Sequence, residues 1–174
     1  KKDFSSNRSR EIGAIVASHA NSLNVKALSI YTKSFNLSNS KYSQSLTEGI
    51  ILGNYQFLDY KTVDLEAHSL RDVIFIGKYD KDSQKSGSCI GLGVNYSRNL
   101  GNHPANVLTP TYLANEAIRI SKAKNMQSKI IDVKDFSKLG LGSFYGVARG
   151  AKEPAKLIIV EYKGGSKKNK PSCL

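Results

Sequence analysis

Apolar residues in the first eighty positions recur at two spacings, one helical and one extended. A spacing of three and four residues over 8–22 predicts a helix. Its apolar face would consist of Ile12, Ile15, Val16 and His19. The short β-branched run at 25–32 predicts a buried strand, and the Ser- and Asn-rich segment 36–43 predicts a loop. We expect His19 at the edge of the core rather than among the ligands of a metal.

A second helix is predicted from Ser45, because Glu48 stands three residues later as in a capping box. Its apolar face would hold Leu46, Ile50, Gly53 and Phe57. We expect Tyr55 and Tyr60 to lie in the core near its end. Residues 65–70 are predicted to be a loop that holds His68, for which the sequence shows no partner.

The run 72–79 is the clearest strand of this half. It contains a continuous apolar stretch at 73–76, which is typical of a strand in a sheet covered on both faces. The polar segment 81–88 that follows is a change of composition, and we interpret it as a domain boundary. A helix running to Gly101 is predicted next, with one side formed by Ile90, Val94 and Ser97.

Two groups of glycines are reminiscent of functional motifs, but neither group has the residue spacing that those motifs require. Gly91 and Gly93 do not form a dinucleotide loop, because Tyr96 stands where the third glycine is required. A phosphate cradle or a serine nucleophile elbow at Ser143 is excluded because neither the lysine nor the glycine that these motifs need is present. We expect the glycines after residue 139 to permit close backbone packing; they are Gly140, Gly142, Gly146 and Gly150.

The segment 98–114 is predicted to be a rigid joint between two helices. Pro104 should end the preceding helix near Gly101. Thr109 followed by Pro110 fits an N-cap and first helical residue. Beyond the joint, the pattern predicts a helix at 112–124, strands at 129–133 and 155–162, and the start of one more strand at 171–174. A short helical turn at 135–139 should end at Gly140.

Composition places the chain among globular proteins, with 40% hydrophobic and 23% charged residues in 174 positions. No run approaches the roughly 18 apolar residues of a membrane helix and no signal peptide is evident, so we expect a cytoplasmic protein that does not bind membranes. Cys89 and Cys173 form neither a disulfide framework nor a metal spacing. We expect both to be small buried hydrophobic residues.

The net charge of +12 is uneven, at +3 over residues 1–86 and +9 over 87–174. Such a basic half is compatible with nucleic-acid binding. However, Lys163, Lys167, Lys168 and Lys170 stand among glycine, serine and asparagine, which is typical of a solvated turn. No aromatic interleaving supports contacts to bases, so direct nucleic-acid binding is a secondary hypothesis.

Three ordered blocks resemble the leucyl aminopeptidase family, also called cytosol aminopeptidases. The first is N-L-x-N-x-P-A-N-x-L-T-P at 99–110, followed by SFYGVARG at 143–150 and LIIVEYKG at 157–164. The tract at 55–62 is similar to the aromatic end of a helix in that family. The resemblance implies an α/β fold with three parts: the later part of a macro-domain-like N-terminal domain with a mixed sheet flanked by helices at 1–84, a joining helix at 85–101, and the first βαβ part of the catalytic domain at 102–174.

The same resemblance implies a homohexameric exopeptidase that uses two divalent ions, zinc or manganese, to release N-terminal residues such as leucine from peptides. Carboxylates that hold two such ions can clamp a water nucleophile and polarise the scissile carbonyl. In the family those ligands, and the catalytic lysine and arginine, follow the part that this chain matches. Lys1 likewise corresponds to an internal position of the family. We therefore predict no catalytic, metal-binding or cofactor-binding residue within 1–174, and His19, His68 and His103 are dispersed.

Two alternatives remain besides an inactive portion of an aminopeptidase. The basic half would suit a DNA-binding accessory domain, whose affinity should fall steeply with salt. The macro-like fold implied for the N-terminal domain would suit a module that binds a nucleotide or ADP-ribose. No phosphate loop in residues 1–86 supports the second alternative.

Overall fold

The computed structural model describes residues 4–63, 67–165, 170 and 172–173. The chain forms two compact units, Lys1–Asn102 and His103–Leu174, each of which combines helices with a two-stranded sheet. The α/β class expected from the sequence is therefore confirmed. The finer division at residues 84 and 101 stays a prediction, although the helix at its centre belongs to the first unit.

The first unit contains three helices and two strands. In chain order they are α1 (Ser6–Ser22), β1 (Ala27–Tyr31), α2 (Ser40–Gly53), β2 (Asp72–Ile76) and α3 (Lys81–Asn102), with a 3-10 turn at Thr32–Phe35 after β1. The two strands are parallel, with Leu28 opposite Val73 and Ile30 opposite Phe75. These inward residues pack with α1 and α2 around a buried cluster made of Ala17, Ala20, Ile30, Leu37, Leu46, Ile50 and Leu70.

Glycines bring the three helices of this unit into backbone contact. A Cβ at Gly49 would overlap the carbonyl oxygen of Arg10 in α1, and one at Gly53 would lie 2.5 Å from the Cα of Ala14. Gly87 is equally close to the backbone of Gln44, and a Cβ at Gly91 would be 3.0 Å from the side chain of Ile51. Helix α2 can therefore lie this close to α1 and α3 only because glycine has no Cβ at these positions.

The second unit contains α4 (Pro110–Ala123), β3 (Gln127–Asp132), α5 (Gly142–Ala148) and β4 (Lys156–Glu161), with a 3-10 turn at Val133–Asp135. Its strand, helix, strand order matches the expectation for this part. The strands pair antiparallel, however, with Ile130 opposite Ile158, so they are not joined by the parallel crossover that a βαβ unit has. Its buried apolar residues are Ala114, Phe136 and Ala155.

Several predicted elements form, with ends that differ from the predicted ones by up to three residues. The strands at 25–32, 72–79, 129–133 and 155–162 all form, as do the helices at 8–22 and 112–124. Helix α3 ends at Asn102, and the Thr109 side chain accepts a hydrogen bond from the Tyr112 amide at the start of α4. The predicted helix end and N-cap are thus confirmed, whereas the rigidity of the joint stays a prediction.

The start of α2 was predicted wrongly. The helix begins at Ser40, within the expected loop, and Asn39 is its N-cap because the side chain accepts from the Lys41 amide. Ser45 and Glu48 lie inside the helix and are buried, so they do not form a capping box. The helix ends at Gly53, before Phe57, and Tyr60 is half exposed rather than part of the core.

The predictions for α1 and α3 were partly wrong because small and polar residues occupy buried positions of these helices. The segment 81–88 is the first part of α3 and not a linker. Its buried positions are Gly87 and Gly91, whereas Ile90 and Val94 are exposed. On α1, Ile12 packs against the core as predicted, but Ile15 and His19 are exposed. The fully buried residues of this helix are Ser9, Gly13, Ala17 and Ala20. Close helix packing, rather than apolar periodicity, selects these faces.

Three further expectations are corrected. Ile74 and Ile76 of β2 are exposed, so only one face of the first sheet is covered by described residues. Both Cys89 and Cys173 are exposed rather than buried. No described atom lies within 4 Å of the Cβ positions of Gly142, Gly146 and Gly150, so close packing does not explain these glycines.

Gly140 alone among the glycines at 140–150 has the left-handed conformation expected of a terminator, at φ +69°. Three predictions lie partly outside the described residues: the loop at 65–70, at residues 65–66; the lysine cluster at 163–170, at residues 167–168; and the start of a strand at 171–174, at residues 171 and 174.

Candidate functional site

The first half of the block at 99–110 lies at the end of α3, where its side chains bind the segment that follows α2. Asn102 donates from Nδ2 to the Tyr55 hydroxyl at 2.9 Å. One turn earlier, the Arg98 guanidinium lies 5.4 Å from the centre of the Tyr55 ring and donates to the Leu52 carbonyl oxygen at 3.3 Å. These contacts fix the end of α3 within the first unit.

The second half of the block builds the start of the second unit. The Pro104 carbonyl oxygen accepts from the amides of Val107 and Leu108, at 2.8 and 3.0 Å, which closes a tight turn. Thr109 then caps α4 through its hydroxyl, 3.1 Å from the Tyr112 amide. The imidazole of His103 lies beside the Tyr112 ring, with 5.9 Å between ring centres. The contacts that the block makes therefore determine backbone geometry at the end of α3 and the start of α4.

The three histidines do not converge. His19 is exposed on α1. His68 has partners, contrary to expectation: its amide donates to Gln56 Oε1 at 2.9 Å and its Nδ1 lies 3.1 Å from the Asn54 carbonyl oxygen. Within the part of the chain that the structure describes, no three His, Cys, Asp or Glu side chains are grouped as a metal site requires. The donor set of the described residues therefore does not fit the pair of divalent ions that the resemblance implies.

Asp132 in the second unit forms an ion pair that changes the pKa of its carboxyl. It lies opposite Lys156 across β3 and β4 and accepts a hydrogen bond from its ammonium at 2.5 Å. That hydrogen bond and the charge of Lys156 lower the pKa of the Asp132 carboxyl, and Lys134 adds a smaller effect of the same sign. A carboxyl with a lowered pKa is ionised at neutral pH, so Asp132 suits an ion pair and not a general acid.

Two family sequence models match this chain. The model of the N-terminal domain of the cytosol aminopeptidase family matches residues 1–64, and that of its catalytic domain matches residues 95–174. The chain belongs to the cytosol aminopeptidase family. The catalytic-domain match includes all three blocks that carry the resemblance in the sequence.

Curated relatives carry the same family name. A probable cytosol aminopeptidase of Alkaliphilus oremlandii is 38% identical over 128 residues, which is 70% of this chain and 26% of that protein. One of Nitrosococcus oceani is 48% identical over 91 residues, or 52% of this chain and 18% of that protein. The chain therefore spans about a quarter or less of the cytosol aminopeptidases to which it is similar.

Solved structures show the same fold. The bottromycin maturation enzyme BotP in complex with Mn superposes with a TM-score of 0.79 at 19% identity, covering 92% of this chain and 34% of that one. A mutant of tomato leucine aminopeptidase gives 0.80 at 20% identity, with the same coverage. The fold described above is therefore shared with solved structures, one of which is a leucine aminopeptidase. Within the described residues, no helix has both the length and the apolar character needed to cross a bilayer.

Proposed function

We propose that residues 1–174 are the scaffold portion of a metal-dependent aminopeptidase that releases N-terminal residues, preferably leucine, from peptides. In this proposal the metal ligands and the catalytic lysine and arginine are contributed by sequence that follows the matched part of the catalytic domain. Residues 1–174 alone bind no divalent ion tightly and do not hydrolyse peptides.

The observation that carries the proposal is a contrast within the catalytic-domain match. Residues 95–174 match the family's catalytic domain, yet the described residues hold no grouping of metal-ligating side chains. The chain also spans only about a quarter of its curated relatives. A bound Mn ion in the BotP complex supports the metal dependence of a protein with this fold.

Hydrolysis of leucyl-p-nitroanilide with added Mn²⁺ tests the proposal. The assay compares this 174-residue chain with the chain extended through its natural downstream reading frame. We expect activity only in the extended protein. Metal analysis after gel filtration gives a readout besides activity, and we expect stoichiometric metal only in the extended protein.

Either of two results would contradict the proposal. Activity or tightly bound Mn²⁺ in the 174-residue chain would place catalytic groups within it. Inactivity of a folded, metal-loaded extended protein on leucyl, methionyl and alanyl substrates would remove the aminopeptidase assignment for the whole protein. Repeating the hydrolysis assay with Zn²⁺ in place of Mn²⁺ shows which ion supports the activity.

The assembly and the cellular compartment belong to the same proposal. We infer a cytoplasmic homohexamer of the extended protein: the names of its relatives support the compartment, and the resemblance to the family implies the hexamer. Light scattering coupled to gel filtration checks the assembly: a hexamer mass is expected, and a monomeric active protein would refute it.

DNA binding is the alternative that the charge distribution supports, because residues 87–174 carry a net charge of +9. If it is the function, affinity for duplex DNA should fall steeply between about 50 and 200 mM salt. Absence of binding at the lower salt concentration would exclude it.

A further inference from the structure

A cavity of about 690 Å³ opens beside the first turns of α1 in the first unit. Phe4, Arg8 and Ile12 line one side at intervals of four residues, and Lys33, Phe35 and Tyr42 contribute from the 3-10 turn and α2. Its volume falls in the range of small-molecule sites, which is about 300 to 1,000 Å³. Aromatic and cationic side chains therefore line one space of suitable size.

A second cavity, of about 270 Å³, lies at the carboxyl ends of β1 and β2. Lys33 and Asn36 line both cavities, while Gly77 and Lys78 line only the second. Ligands of α/β proteins bind characteristically outside the carboxyl ends of parallel strands, because the loops diverge there. Because Lys33 and Asn36 line both, the cavity at this edge of the sheet is adjacent to the aromatic cavity.

The charge around the two cavities is positive. Among the described residues, neither lining contains Asp or Glu. Among the described residues, Lys33 and Lys78 have no carboxylate within ion-pair distance. Arg8 does bind Glu11, at 2.9 Å, but both side chains are 59% exposed, so the pair is well hydrated. An anion at the strand ends would thus meet two lysines that have no acidic partner.

The backbone at the strand ends is held in a conformation that leaves this space open. Gly77 has φ +110°, and a Cβ there would lie 2.6 Å from the Thr32 hydroxyl oxygen. That hydroxyl donates to the Ile76 carbonyl oxygen at 3.1 Å and links the end of β2 to the residue after β1. Glycine at position 77 is therefore needed for both the left-handed backbone and the Thr32 hydrogen bond.

We propose that these adjacent cavities together bind a nucleotide, with its phosphates between Lys33 and Lys78 and its base in the space lined by Phe35 and Tyr42. Ammonium groups form strong charge-assisted hydrogen bonds with phosphate oxygens. Half-buried aromatic rings provide a surface on which any base can stack. The site is separate from peptide hydrolysis and does not depend on the function proposed above.

Isothermal titration of the 174-residue chain with ADP tests the site, with adenosine and inorganic phosphate as partial probes. Because both ends of the ligand contribute, ADP should bind at least about tenfold more tightly than either part. The double variant Lys33→Gln/Lys78→Gln should weaken ADP binding at least about fivefold, because two charge-assisted contacts are lost, and leave adenosine binding almost unchanged.

The matched control is Lys26→Gln/Lys85→Gln, which removes the same charge from exposed residues of the first unit outside both linings. ADP affinity should stay within about twofold of the parent chain in this variant. Equal weakening in the two double variants would reduce the effect to general charge attraction and overturn the proposal. So would the absence of ADP binding at millimolar concentration by a chain whose thermal melt shows it to be folded.

Discussion

The two units differ in how much apolar surface they bury. In the first, seven buried apolar residues form one cluster between the parallel strands and two helices. Among the described residues of the second, the buried apolar residues are Phe136 and two alanines, while large apolar side chains are exposed. These are Tyr112, Leu113, Leu139, Phe144, Tyr145, Val147, Ile159, Val160 and Tyr162. Regular secondary structure thus forms in both units, but within the described part of the chain only the first shows an apolar core large enough to stabilise it in isolation.

Separating the units gives the largest expected difference. We expect residues 1–102 to unfold cooperatively on heating, because their core is contained within them. Residues 103–174 should show helical circular dichroism without a cooperative transition, since three buried apolar side chains do not offset the entropy of ordering the chain. Calorimetry of the two pieces checks this, and a sharp transition in residues 103–174 would refute the contrast.

Adding a methyl group to a glycine should have opposite effects in the two units. Gly49→Ala forces a Cβ against the Arg10 backbone and should lower the free energy of unfolding of the first unit by about 2 to 3 kcal/mol. Gly146→Ala adds a methyl group to α5 with no described atom within 4 Å, and should stabilise that helix by about 0.5 to 1 kcal/mol. Denaturant melts of the 174-residue chain measure the first change, and helical circular dichroism follows the second. If Gly49→Ala leaves the free energy of unfolding unchanged, α1 and α2 can move apart without loss of stability, which would contradict the prediction.

Ion pairs provide a smaller contrast within the first unit. Glu48 is 5% exposed and accepts from Arg10 Nε at 2.7 Å and from Gln44 Nε2 at 2.8 Å. Glu48→Gln should cost about 2 kcal/mol, because it leaves Arg10 without its counter-charge in a partly buried contact. The exposed pair Arg8 and Glu11 is the control, and Glu11→Gln should change stability by less than about 0.5 kcal/mol. Equal effects in urea melts would contradict the role of burial.

The smallest expected effect is the pH dependence of the second unit. The hydrogen bond and charge of Lys156 lower the pKa of Asp132 in the folded state. Its stabilising contribution is therefore complete above the unfolded pKa of about 3.9 and is lost as the pH falls through the lower folded pKa. In the variant Asp132→Asn, this pH-dependent contribution to the free energy of unfolding should be absent. NMR titration of the Asp132 carboxyl checks the direction, and a pKa above the ordinary aspartate value would refute it.

The sequence predicted those elements whose signals are local. The cap at Thr109 and Pro110 was correct because one hydroxyl and one missing amide determine it. The face of α3 was wrong because its buried positions are Gly87 and Gly91, which contribute no apolar side chain to a periodic pattern. The antiparallel pairing of β3 with β4 depends on contacts between strands 24 residues or more apart, which periodicity does not specify.

The sequence analysis considered a nucleotide-binding module as an alternative, but it did not identify the residues of the candidate site, for a related reason. Lys33 and Lys78 stand 45 positions apart and enter the same cavity only because β1 and β2 are parallel neighbours. Nothing in the run around either lysine distinguishes it from an ordinary surface residue. The positive φ of Gly77 is the signal that points there, and it becomes visible only with the backbone in place.

The glycines between the helices of the first unit also limit how this sequence can evolve. At Gly49, Gly53 and Gly87 even the smallest side chain would collide with the backbone of the neighbouring helix. Natural variation in this three-helix arrangement should therefore accumulate on outward positions such as Ile15 and Ile90, which are exposed. A mutational scan would find its least tolerant positions among residues that hydropathy scores as neutral, and its most permissive among residues that hydropathy would assign to the core.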